Sequence, residues 1–211
     1  MTGVQTCALP IFAARAAAVA SAATAATAVP ARMVADSIAA RGEIDPRRVG
    51  ITGGSYGGYL TLLALARTPD LWRAGVERYG MPDLVADYLL GHDRFGPWYE
   101  TEMGNPKTDA ALFRERSPLL YLDSLKAPLL IFQGANDNNV PRAESDLLVA
   151  LLKGLGKAYE YVVYDDEGHG FTRRKNLLDH HRRALRFFVK HLSGSGPPPP
   201  GTGPSPGPGR F

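Results

Sequence analysis

A single cysteine, Cys7, stands in this chain of 211 residues, so no disulfide can form within it. No Cys/His cluster has the spacing of a zinc site, and neither a metal nor another cofactor is expected. No run of 18 strongly apolar residues occurs, so no membrane span or membrane partner is expected. Charge of one sign is also scarce. The chain has 24 Lys and Arg against 21 Asp and Glu, a net +3. Its densest basic spots, Arg173-Arg174-Lys175 and Arg182-Arg183, lack interleaved aromatics. They read as a solvated helix face, and nucleic acid is not expected as a partner. No basic stretch precedes the Ala-rich run near the start, which argues against a signal peptide.

The two ends differ from the middle. Residues 13–31 hold 12 alanines in 19 positions, with no large side chains to anchor a helix in a core. Residues 197–211 carry 7 of the 17 prolines among Gly and Ser, the composition of a disordered, partly polyproline tail. The opening, residues 1–11, resembles a translated sequencing adapter. That resemblance implies that these residues are non-native and that the natural reading frame begins further upstream. The expected organisation is a non-native or disordered leader over 1–31, a folded domain over 32–192 and a disordered tail over 193–211.

The middle alternates β and α patterns. A helix is expected over Arg32–Arg41, ending at Gly42. A strand over Val49–Thr52 follows the Asp45-Pro46 turn. Gly57–Arg67 is apolar all round and reads as a buried helix. A strand follows near Ala74–Tyr79. From Met81 to Leu122 runs an aromatic stretch punctuated as loop at Gly96-Pro97 and Asn105-Pro106. Pro128–Gln133 is a continuous apolar strand, suited to a parallel sheet covered on both faces. Pro141–Leu155 reads as a helix with Pro in its first turn, Tyr159–Tyr164 as a strand, and Asp179–Leu192 as the last helix. That helix places His181, Leu185, Phe188 and Leu192 on one face. The alternation implies an α/β fold, a mostly parallel sheet with helices on both sides.

Gly53-Gly54-Ser55-Tyr56-Gly57 matches G-x-S-x-G, the strand-to-helix turn that lifts a nucleophilic serine. The motif alone is weak. Here it follows an expected strand and opens an expected buried helix, which is the context it needs. A serine hydroxyl requires a base. Of five histidines, His169 lies just after the strand Tyr159–Tyr164, between glycines that free the backbone to present its ring. His180 and His191 are expected at exposed helical positions, and His181 on a helix face. His92 lies in the aromatic stretch. The group that orients the imidazole is expected to be Asp137, on the loop after Pro128–Gln133. Asp165 and Asp166 read as solvent or turn carboxylates. The order Ser55, Asp137, His169 is that of α/β-hydrolases. One oxyanion donor is expected from the backbone N–H of Tyr56.

Asp45–Tyr59, Gln133–Pro141 and Asp166–Gly170, together with Arg116-Ser117-Pro118, resemble the prolyl oligopeptidase family. The resemblance is strongest to its dipeptidyl-peptidase and acylaminoacyl-peptidase branches. It covers about residues 40–192. It implies the α/β-hydrolase fold and hydrolysis of peptide bonds in short peptides, with a peptide as the partner. It also implies a substrate pocket lined by Tyr56, with Asn139 and Val140 beside it. Asn139 reads equally well as a simple turn residue. Full-length members add an N-terminal β-propeller, the first strands of the sheet and a second oxyanion donor. By analogy only the last four strands are here, with the edge of Val49–Thr52 unpaired. Low stability and little activity of this chain alone are therefore expected. The alternatives are a carboxylesterase on the same fold and an inactive fragment. A homo-oligomer is compatible with the sequence, and a cytoplasmic location is favoured.

Overall fold

The computed structural model describes Ser37, Ala40, Asp45 and residues 47–193. The expectations for the leader over 1–31 and for the tail beyond Ser193 lie outside the described residues. So does most of the helix expected over Arg32–Arg41, of which Ser37 and Ala40 are helical.

Four parallel strands form one sheet in the order β1 (Gly50–Gly54), β2 (Ala74–Arg78), β3 (Leu129–Gly134) and β4 (Tyr159–Tyr164). Parallel neighbours need crossovers, and helices supply them. α1 (Tyr56–Arg67) joins β1 to β2, and α4 (Arg142–Gly154) joins β3 to β4. Between β2 and β3 lie α2 (Leu84–Glu102), α3 (Ala110–Arg116) and a 3₁₀ turn over Pro118–Ser124. α5 (Arg174–Leu192) closes the fold. β1 ends the sheet on one side, with no strand on its outer edge among the described residues.

β3 is buried along its whole length, and its alternation divides the core. Leu129 and Ile131 face α1 and α4, packing with Leu62, Leu65, Leu148 and Leu152. Leu130 and Phe132 face α5, packing with Val76 and Phe187. Period-two alternation under two helical layers explains why this strand reads as a continuous apolar run. A third cluster is aromatic. Tyr59 and Leu63 of α1 meet Tyr88, Tyr99 and Met103, together with Phe113 and Val140.

That third cluster corrects the reading of Met81–Leu122. α2 runs straight through Gly96-Pro97, with Pro97 inside the helix. Proline removes one backbone donor there. Packing of Tyr88, Tyr99 and Met103 on both sides of the break holds the helix, and the Asp83 carboxylate caps it by accepting from Val85 N at 2.9 Å. Asn105-Pro106 does form a turn, with Asn105 Oδ1 accepting from Lys107 N at 2.9 Å.

α5 begins at Arg174, earlier than Asp179, and its buried face is Asn176, His180 and Phe187. Phe188 and Leu192 are partly buried against the same cluster, but Leu185 is 65% exposed. His180, expected to be exposed, is 3% exposed. His191 is partly buried, its ring 4.5 Å from that of Phe187. The stripe contains a polar Asn and His with work inside the fold, so apolar spacing alone set the face one residue off.

Candidate active site

Every expected site residue lies beyond the C-terminal end of a strand, the rim where open parallel sheets hold ligands. Ser55 stands between β1 and α1 with φ 57° and ψ −126°, a left-handed backbone that a non-glycine residue adopts only when its surroundings impose it. Those surroundings are visible. Ser55 N donates to Arg78 O at 3.0 Å, and Ser55 O accepts from Gly58 N at 2.8 Å and Tyr59 N at 3.0 Å. The turn is thus pinned to β2 on one side and to α1 on the other.

The Ser55 hydroxyl lies 2.9 Å from His169 Nε2. His169 Nδ1 lies 2.9 Å from Asp137 Oδ2 and 3.1 Å from Oδ1. Asp137 Oδ1 also accepts from Asn139 N at 2.8 Å and Val140 N at 2.9 Å. Its side chain is fully buried, whereas that of His169 is 22% exposed. A carboxylate already accepting two backbone N–H groups presents an acceptor to Nδ1. The hydrogen then belongs on Nδ1, and the Nε2 lone pair faces the serine hydroxyl. Chemically, this arrangement can take a proton from Ser55 and return it to a leaving group. Asp166, by contrast, is exposed and paired with Arg173 at 3.2 Å.

Tyr56 heads α1, where helix geometry leaves N–H groups without an acceptor. Asn139 is half-buried beside Asp137. Val140 is 3% exposed and packs into the aromatic cluster, so it backs the rim instead of forming an open wall. Two carboxyl groups are also buried, Asp87 of α2 and Glu144 of α4, each 1% exposed. Burial pushes Asp87 up to about 6 and Glu144 up to about 8. The Tyr99 hydroxyl donates to Asp87. Among the described residues, no group of three or more His, Cys, Asp or Glu is placed to hold a metal ion.

Three neighbours were not foreseen. Tyr79, also left-handed at φ 40°, lays its ring 4.7 Å from the His169 ring. From α2, Arg94 Nη1 donates to Asn138 O at 3.0 Å and Asn139 Oδ1 at 2.8 Å. One turn on, Trp98 meets Tyr56 edge-on with ring centroids 6.0 Å apart. One helix face therefore spans from the loop of Asp137 to the turn of Ser55. The i, i+4 spacing of Arg94 and Trp98 was the available signal, hidden by the Gly-Pro inside the same helix.

The sequence model of the prolyl oligopeptidase family matches residues 32–195. The chain belongs to the prolyl oligopeptidase family. Among its relatives, dipeptidyl aminopeptidase BIII of Pseudoxanthomonas mexicana is 40% identical over 152 residues, 70% of this chain and 22% of the relative. Dipeptidyl peptidase family member 6 of Caenorhabditis elegans is 36% identical over 172 residues, 76% of this chain and 22% of the relative. Among solved structures, a puromycin-hydrolyzing peptidase of Mycobacterium tuberculosis is 31% identical with a TM-score of 0.72, over 77% of this chain and 24% of that one. An acylaminoacyl peptidase in complex with Z-Gly-Gly-Phe-chloromethyl ketone is 28% identical with a TM-score of 0.69, over 78% and 27%. The fold is that of the α/β-hydrolases. The chain spans about a quarter or less of the length of these family members.

Proposed function

We propose that this chain carries the catalytic machinery of a serine peptidase acting on short peptides. The observation that carries the reading is the continuous hydrogen-bond chain from the Ser55 hydroxyl through His169 to Asp137. In this mechanism Ser55 Oγ attacks the scissile carbonyl while His169 Nε2 takes its proton. Asp137 holds the tautomer and stabilises the imidazolium. The Tyr56 N–H donates to the developing oxyanion, a contact typically worth about 10²–10³ in rate. His169 then gives the proton to the leaving amine. Water, deprotonated by the same imidazole, hydrolyses the acyl-enzyme.

In this reading Tyr56, Asn139 and Trp98 meet the substrate beside the cleaved bond. The test is labelling by a fluorophosphonate, paired with assays of peptidyl anilides and short acyl esters. Wild-type labelling that vanishes in Ser55→Ala, with anilide turnover, supports the reading. Ester turnover without anilide turnover would favour a carboxylesterase. A folded protein that is not labelled would overturn the proposal.

A further inference from the structure

His169 sits on a loop that does not hold itself. Glycines flank it on both sides, Gly170 has φ +88°, and only a narrow bridge joins Gly168 to Gly170. Such a backbone has many conformations to lose. Between Tyr164 and Asn176 a single side chain is buried, that of Glu167, at 2% exposure.

Its carboxylate is fully used. Oε2 accepts from Thr172 N at 3.0 Å and from Thr172 Oγ1 at 3.3 Å. Oε1 accepts from Arg173 N at 2.9 Å and from Asn176 Nδ2 at 2.9 Å. Two of these donors are backbone N–H groups at the entry to α5, where a negative charge also suits the helix dipole. Burial alone would raise the carboxyl, but the Thr172, Asn176 and Arg173 donors outweigh it and hold the group below its ordinary range. The main-chain carbonyl of Glu167 faces the other way and accepts from Asn136 N at 2.9 Å. Asn136 directly precedes Asp137, and its side chain donates to Asp165 O at 2.7 Å.

We propose that Glu167 is a positioning residue: it ties the His169 loop to α5 through its carboxylate and to the Asp137 loop through its carbonyl, and so sets where the imidazole stands. The proposal deepens the serine-peptidase reading and rests on it. The carboxylate of Glu167 hydrogen-bonds Thr172, Arg173 and Asn176, not Ser55 or the His169 ring, and acts through the loop. A glutamine in its place would turn an amide NH₂ toward groups that are themselves donors, so the network cannot simply be kept by an isostere.

The test uses the full chain with Glu167→Gln, Glu167→Asp and the neighbouring control Asp166→Asn. Asp166 is exposed and also accepts from Asn176 Nδ2, at 2.7 Å. Two readouts are taken on folded protein. One is fluorophosphonate inactivation of Ser55, separated into reagent binding and bond formation. The other is the low-field proton resonance of His169 Nδ1–H. For Glu167→Gln, bond formation is expected to slow by about 100-fold, the scale of a 1 Å misplacement. Reagent binding should be unchanged and the Nδ1–H resonance broadened or lost. Glu167→Asp should recover part of both, and Asp166→Asn should keep both.

An Nδ1–H signal and a bond-forming rate as in wild type would overturn the proposal, as would equal losses in the Asp166 control. Should Glu167→Gln not fold, Asn176→Ala removes one of the donors and is expected to show a smaller loss of both signals; unchanged signals there overturn it equally. Absence of labelling in the wild type would sink the peptidase reading alone, because the Nδ1–H resonance still decides the positioning.

Discussion

His180 packs edge-on against Phe132, with ring centroids 4.7 Å apart and interplanar angle 77°. Burial, with a contribution from the nearby charges of Arg78 and His181, pushes its pKa down to about 3. The folded protein therefore keeps this ring neutral where an unfolded chain, with a His near 6.5, takes a proton. Stability from this residue is complete above pH 6.5 and is lost as pH falls towards 3. The slope is at most about 1.4 kcal/mol per pH unit. The expected outcome for His180→Leu is a shallower fall in the urea midpoint between pH 6.5 and pH 4 than in wild type. Parallel curves for the two proteins would show that His180 does not titrate in this way.

At the nucleophile turn the two outer glycines of the motif are not equivalent. A Cβ on Gly53 would sit 2.1 Å from the carbonyl oxygen of Gly57, whereas a Cβ on Gly57 meets nothing within 4 Å. The close approach of strand and helix thus falls on Gly53; at Gly58 a Cβ would sit 2.8 Å from both Arg78 O and Gly80 Cα. Gly53→Ala is expected to destabilise by at least about 3 kcal/mol, the upper end for overpacking, because backbone cannot move aside as a side chain can. Gly57→Ala, inside a helix, is expected to be neutral or to stabilise by up to about 1 kcal/mol. Chemical denaturation of the two variants decides; similar losses in both would contradict the steric account.

Asp137 leads to a prediction about chemistry without loss of fold. In Asp137→Asn the amide oxygen can keep the Asn139 and Val140 N–H groups, which leaves the NH₂ facing His169 Nδ1. That donor favours the hydrogen on Nε2, the tautomer unable to accept from Ser55. Labelling of Ser55 is expected to slow by about 10⁴, the scale of the equivalent change in a Ser-His-Asp site. The melting transition should stay near that of wild type. Labelling at the wild-type rate would remove Asp137 from the mechanism.

The residues brought together at Ser55 were legible because each follows a strand closely. Val49–Thr52, Pro128–Gln133 and Tyr159–Tyr164 are short and apolar, and the first polar groups after them must stand at the sheet rim. α2 was not legible. Its Gly96-Pro97 argues locally for a loop, and only the tertiary packing of Tyr88 and Tyr99 overrides it. Arg94 and Trp98 were lost with it. The burial of His180 was hidden for a related reason. His180 and His181 are adjacent, and periodicity cannot say which of two like neighbours turns inward when the deciding partners, Phe132 and Phe171, lie on other elements. Glu167 lies within the Asp166–Gly170 motif, but nothing in the sequence places its carboxylate on the residues that enter α5.

Glu77 sets a pH dependence opposite to that of His180. It lies on β2 with no exposed surface, accepts from Gly80 N at 2.8 Å, and has a second oxygen with no hydrogen-bond partner among the described residues. Burial, only partly offset by the Gly80 N–H and the Arg78 charge, pushes its carboxyl up to about 8. An unfolded chain releases that proton near pH 4.5, whereas the folded chain holds it until about 8. Stability therefore falls as pH rises through this window, by at most about 1.4 kcal/mol per unit. Glu144 and Asp87, also raised by burial, act in the same direction. Glu77→Gln keeps an acceptor for Gly80 and cannot ionise. Its stability relative to wild type is expected to grow steadily from pH 5 to pH 8 and to level off above. Denaturation midpoints across that range measure it, and a difference independent of pH would mean that the Glu77 proton is not held by the fold.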